Sequence, residues 1–357
     1  MRIRLGILDS DVLYKNRFIN YFNANYADSI ELFSFSELDS LLRHLRQSKL
    51  DVLLAAPDIV PDPEAIPTGP AFAYWAETIG IDSINNVRTV CKYQKAELIY
   101  KELLGLYAET DSKVVFGHKD ADHSMVLSFL GAAGGVGAST VAAGAALYFA
   151  RRGKRVIFLD TTCLGQASIY FQGEGGASLS EVMYAIKSNH ANLFLKLESM
   201  VKRDSSGVRY YDSFRVALDG RDSTPENFEA LIEAVSGSGS YDVVVVDAEN
   251  SMGEKQQVIL SNSSAVVVLS DGTPVANQKV RRLLEAIHLE KNDCRDILNR
   301  TYLLYNRFHT GGQKVDVSDL VNELGGINAY KNAQPAQIAA EISNKTIFDV
   351  FLKGLGN

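Results

Sequence analysis

The sequence predicts an α/β protein of two parallel-sheet domains, and three observations carry that reading. Residues 1–108 alternate short apolar runs with segments of helical apolar spacing, the pattern of strands and the helices that cover them. Residues 125–151 run from an apolar strand through a glycine-rich turn, GAAGGVGAST, into a helix. Between them, ETDSKVVFGHKDADHS at 109–124 is mostly polar and reads as a linker. The length of 357 residues agrees, because single cores seldom grow that large.

In the first domain, strands are expected at Ile3–Leu8, Ile30–Phe33, Asp51–Ala55, Ala71–Trp75 and Arg88–Cys91. Helices are expected at Val12–Phe22, Glu37–Arg46 and Glu97–Tyr107. The VVF of the linker is a further candidate for strand pairing. The second domain, 125–357, opens with strand Met125–Leu130, helix Ser139–Arg151 and strand Arg155–Leu159. A mixed stretch follows from Ser178 to Ala234. Three short buried strands come next: Asp242–Val246, Ala265–Leu269 and Tyr302–Tyr305. SGSGS at 236–240 is a surface turn, and no internal repeat is visible.

Bulk properties narrow the function classes. A formal net charge of −7 opposes nucleic-acid binding, which needs a basic face. Cys91, Cys163 and Cys294 lie far apart without metal-ligand spacing, which suits a reducing cytosol. The apolar run of the N-terminus ends at Asp9, too short for a signal peptide, and no stretch approaches a membrane span. The expected location is therefore cytoplasmic.

The strand–turn–helix at 125–151 points backbone N–H groups at whatever lies before the helix, where the helix dipole also favours an anion. Glycines let the backbone curl around phosphate. Ser139 stands where a P-loop hydroxyl ligates Mg²⁺. Two further strand ends converge there: RVIFLD ends in Asp160 and YDVVVVD ends in Asp247, the position of an acid that holds Mg²⁺ through water. The competing reading is a glycine-rich turn with solvated acids and no nucleotide.

AGGVGAST, RVIFLDTT, YDVVVVD and LLYNRF together resemble the ParA/MinD superfamily of P-loop ATPases over roughly residues 125–357. The upstream domain resembles a flavodoxin-like receiver, and the pair resembles the TadZ/CpaE group of Tad pilus localisation factors. That resemblance implies a nucleotide site at Gly134, Gly135, Val136, Gly137, Ala138, Ser139, Thr140, Asn306 and Arg307. It implies Mg²⁺ on Ser139 and, via water, Asp247, with Asp160 as the catalytic acid and the Asn306 amide reading the adenine edge. ATP and Mg²⁺ are the implied cofactors, and a homodimer with pilus or secretion assembly proteins as partners is the implied state.

The departures from the family pattern matter as much. Ala133 replaces the signature lysine, Ala138 the Walker A lysine, and Thr162 the second acid of the DxD motif. Each lost charge-assisted hydrogen bond costs about 1.5–3 kcal/mol, which backbone amides and Mg²⁺ can absorb. Hydrolysis suffers more, because a group that stabilises transition-state charge contributes about 10²–10³ or more. The expected activity is at most a weak ATPase, with Lys119 a candidate replacement cation. A nucleotide-free scaffold and an active ParA-like ATPase are the alternatives.

The receiver-like domain has Ala55 and Ala56 where the phosphoacceptor aspartate belongs, while Asp9, Asp11 and Lys92 remain. Phosphorylation by the usual chemistry is not expected. At the C-terminal end, Ile347, Phe348, Phe351, Leu352 and Leu355 share one helical face, which suits either packing on its own domain or peripheral membrane contact.

Overall fold

The computed structural model describes residues 2–109, 124–188, 192–289, 294–308 and 312–355. It divides into two compact units, each with its own sheet.

The first unit holds strands β1 (Ile3–Leu8), β2 (Ile30–Phe35), β3 (Val52–Ala55), β4 (Ala71–Ala76), β5 (Ser83–Ile84) and β6 (Val87–Cys91). Their order is β2-β1-β3-β4-β6-β5, parallel except for the antiparallel β5–β6 edge. This is the flavodoxin-like winding with one extra edge strand. Helices Val12–Asn25, Leu38–Gln47 and Ala96–Ala108 cover it. Phe18 and Phe22, four residues apart on one helix face, stack together, and Phe18 meets Trp75 edge-on. A short helix, Leu193–Ser199, also belongs to this unit: Leu195 enters its core, and Lys196 pairs with Glu109 at 3.3 Å.

The second unit contains β7 (Met125–Gly131), β8 (Val156–Asp160), β9 (Lys202–Arg203), β10 (Arg209–Tyr210), β11 (Val243–Asp247), β12 (Ala265–Ser270), β13 (Thr301–Phe308) and β14 (Asn322–Asn328). Their order is β14-β13-β12-β7-β11-β8-β10-β9, with β9–β10 the antiparallel pair. The five residues of β11, VVVVD, are all buried, as a strand with both faces covered requires. Helix Ala138–Arg151 lies against helix Pro335–Ile342 at close range. A Cβ on its Gly144 would come within 2.7 Å of Ile342, so a small residue is needed at the crossing.

The C-terminal apolar face is used inside this domain. Phe348 is fully buried and meets Phe129 and Tyr148 edge-on, and Phe351 packs on Tyr302. Among the described residues, no helix is long and apolar enough to cross a membrane.

Candidate functional site

The carboxyl ends of β7, β11 and β13 open onto a cavity of about 740 Å³. Its floor is the loop from Gly131 into helix Ala138–Arg151. Gly135 (φ 79°) and Gly137 (φ 88°) adopt the left-handed conformation that a side chain disfavours, which lets the loop double back before the helix begins. Gly134, Gly135, Val136, Gly137, Ala138, Ser139, Thr140 and Arg307 all line the cavity, as does Asp247. Ala133 and Ala138, the two positions at which the sequence resemblance implies lysines, line it as well.

Register sets the electrostatics. Asp160 and Asp247 are direct partners across the parallel pair β8–β11, so two acids end neighbouring strands in a buried place. Burial first, then the Asp160 charge, push the Asp247 carboxyl up to about 8, against a hydrogen bond from Ser139. Asp160 is likewise pushed up by burial, opposed by its own bonds. Its oxygens accept from Ser213 Oγ at 2.5 Å, Thr162 Oγ1 at 2.7 Å and the Thr162 N–H at 3.3 Å. Gly165 packs so close that a Cβ there would lie 2.1 Å from the carboxylate. Asp160 is thus turned into the Thr162–Gly165 bend and lies outside the cavity lining, while Thr162 lines it.

Asn306 is also absent from the lining. Its amide donates to the Val136 carbonyl at 2.8 Å from beneath the loop. Arg307 does reach the cavity. A register shift between β13 and β14 coincides with a left-handed φ of 56° at Arg307. Its guanidinium donates to the Gly135 carbonyl at 2.9 Å. Asn306 and Arg307 therefore brace the loop from two sides.

Sequence reasoning missed several cavity residues. Tyr170 lines it and shares a 3.0 Å hydrogen bond with Thr140. Asn250 donates to the Gly131 carbonyl at 3.1 Å, tying the segment after β11 to the loop. Lys279, Arg282 and Leu283 enter from helix Pro274–Leu289, which nothing in the loop motif announces. Lys119 and the VVF segment lie outside the described residues.

Residues 1–108 match the model of the TadZ-like receiver domain, and residues 124–300 match that of an AAA domain. The chain joins a TadZ-like receiver domain to an AAA domain. Among solved structures, a ParA family ATPase from Chlorobium tepidum is similar to part of this chain. It is 17% identical with a TM-score of 0.50, over 65% of this chain and 93% of that one. The MinD of Pyrococcus horikoshii, solved with Mg-ADP, is 14% identical with a TM-score of 0.46, over 62% of this chain and 94% of its own. At 17% identity the likeness to the Chlorobium structure concerns fold alone. No curated protein matches the sequence at a comparable level.

The TadZ-like receiver domain keeps a remnant of a receiver's acidic site. Lys92 Nζ lies 2.7 Å from Asp9 and 3.1 Å from Glu77, and the Asp9–Lys92 pair is 2% exposed on both sides. Burial works against the ammonium, but the bonds to Asp9 and Glu77 outweigh it and hold Lys92 above its usual range. At the acceptor position, Ala55 and Ala56 are buried.

Proposed function

We propose that the AAA domain binds ATP with Mg²⁺ and turns it over weakly or not at all. On this reading the chain is a localisation scaffold for Tad-type pilus or secretion assembly, placed at the cell pole in the cytoplasm as a nucleotide-sandwich homodimer. The observation that carries it is the cradle itself: a glycine loop at a helix N-terminus, with Ser139 hydrogen-bonded to Asp247 and methyl groups at both lysine positions. The N–H groups of the loop and the first helical turn would hold phosphate oxygens. Ser139 and Asp247 would hold Mg²⁺, which screens phosphate charge when bound. ATP then acts by linkage, stabilising whichever assembled state binds it.

Slow turnover follows from the residues at hand. Ala133 and Ala138 offer no cation to developing charge, and Thr162 donates its hydroxyl to Asp160 instead of orienting a water as a carboxylate would. The apolar C-terminal face is packed on Phe129, Tyr148 and Tyr302, so membrane contact forms no part of this reading.

The second reading is a scaffold without nucleotide. Arg307 and Asn306 favour it, because they satisfy loop carbonyls from within the chain and hold the loop formed without a ligand. Calorimetric titration of ATP with Mg²⁺ separates the two. Micromolar binding that weakens in Asp247→Ala, with an ATP-dependent rise in mass by analytical ultracentrifugation, is the expected result. Absence of binding up to millimolar ATP would leave the nucleotide-free scaffold.

A further inference from the structure

The cavity has lost both loop lysines, yet it does not lack cations. β12 runs beside β7, and the Ala132 N–H donates to the Leu269 carbonyl at the end of β12. The helix that follows, Pro274–Leu289, therefore starts next to the glycine loop. Its Ala276, Val280, Leu284 and Ile287 are buried against the domain. Lys279, Arg282 and Leu283 recur at i, i+3 and i+4 and therefore share one face, and all three line the cavity.

Lys279 and Arg282 are exposed, and among the described residues neither makes an ion pair or a side-chain hydrogen bond. The acids on the cavity wall are Asp247 and Glu249, and the third cation is Arg307. An unpaired lysine and an unpaired arginine, held three residues apart on a helix that faces a phosphate-shaped loop, provide a point charge and a planar fork for phosphate oxygens.

We propose that Lys279 and Arg282 supply, from the same chain, the polyphosphate-binding charge that Ala133 and Ala138 no longer provide. This rests on the nucleotide reading above and adds a source of specificity to it: the cavity selects the polyphosphate end of the ligand through helix Pro274–Leu289.

The test uses the full chain in Mg²⁺ buffer and measures Kd by calorimetry for ATP, inorganic tripolyphosphate and adenosine. Variants are Lys279→Ala, Arg282→Ala, their double, the conservative Lys279→Arg, and Arg281→Ala as an exposed control outside the cavity. The expected result is a loss of about ten-fold or more per cation for ATP and for tripolyphosphate. Adenosine affinity should stay unchanged, Lys279→Arg should retain most ATP affinity, and Arg281→Ala should behave as wild type. If wild type binds ATP and the double variant binds it within about two-fold, the inference is overturned while the nucleotide reading stands. If wild type binds neither ATP nor tripolyphosphate, both fall together.

Discussion

The glycine loop makes a graded prediction, because Gly134, Gly135 and Gly137 differ in what a methyl group would meet. At Gly134 an added Cβ finds no atom within 4 Å, and the residue does not need positive φ. Gly134→Ala should therefore change stability by no more than about 0.5 kcal/mol, or raise it slightly by restricting the unfolded chain. Gly135 is also in open space, but its φ of 79° places alanine in the left-handed region, a cost of about 1–2 kcal/mol. Gly137 carries that strain at φ 88° and a steric clash as well: its Cβ would lie 2.5 Å from Asn306 Nδ2. That amide is buried and donates to the Val136 carbonyl at 2.8 Å, so it cannot swing away without leaving a buried acceptor unpaired. The unpaired group adds about 1–3 kcal/mol. Gly137→Ala should therefore cost about 2–5 kcal/mol and weaken ATP binding most. The single tryptophan, Trp75, reports on the first unit, so the second is followed by hydrogen exchange in helix Ala138–Arg151 and by far-UV circular dichroism in urea. Equal costs for Gly134→Ala and Gly137→Ala would refute the reasoning, since generic loop flexibility would then account for both.

Two further predictions follow from buried charge. In the receiver domain, Lys92→Met leaves Asp9 buried and unpaired, which should cost about 3–5 kcal/mol in Trp75-monitored unfolding. The double Asp9→Asn/Lys92→Met should recover a large part of that loss; single variants that cost under about 1 kcal/mol would show the pair to be dispensable. In the AAA domain, a proton on Asp247 competes with Mg²⁺, because burial and Asp160 hold this carboxyl at about 8. Mg·ATP affinity should therefore rise between pH 6.5 and 8.5, by at most about ten-fold per unit below the folded pKa, and Asp247→Asn should flatten the profile. Without ligand the sign reverses. The folded chain keeps a proton that the unfolded chain releases, so stability falls as pH climbs from about 4 to 8. A wild-type binding profile as flat as that of the variant would show that Asp247 does not engage the ion.

What the sequence disclosed and what it hid follow one physical division. Strands buried on both faces, such as β11 and β12, announce themselves as β-branched runs, and the expected and observed limits differ by a residue or two. β14 carries no such mark. Its sequence, NELGGIN, is half exposed and glycine-containing, and it becomes a strand because β13 offers an open edge to pair with. Helix Leu193–Ser199 likewise gives no sign in its own residues that it packs in the first unit, because Leu195 finds that core only in three dimensions.

The site divides in the same way. The glycine loop, Ser139 and Asp247 were legible because local backbone geometry and strand ends fix them. Asp160 was legible as a strand-end acid, but not its turn toward Ser213 and Thr162, which depends on a partner 53 residues away. Lys279 and Arg282 were invisible for a related reason. On a helix wheel they belong to an ordinary charged, solvent-facing stripe, and only the adjacency of β12 and β7 turns that stripe toward the loop. A phosphate loop judged by its own lysines alone looks disabled. On the proposed reading, helix Pro274–Leu289 supplies from one strand over the charge that Ala133 and Ala138 do not, and nucleotide binding would persist without the loop lysines.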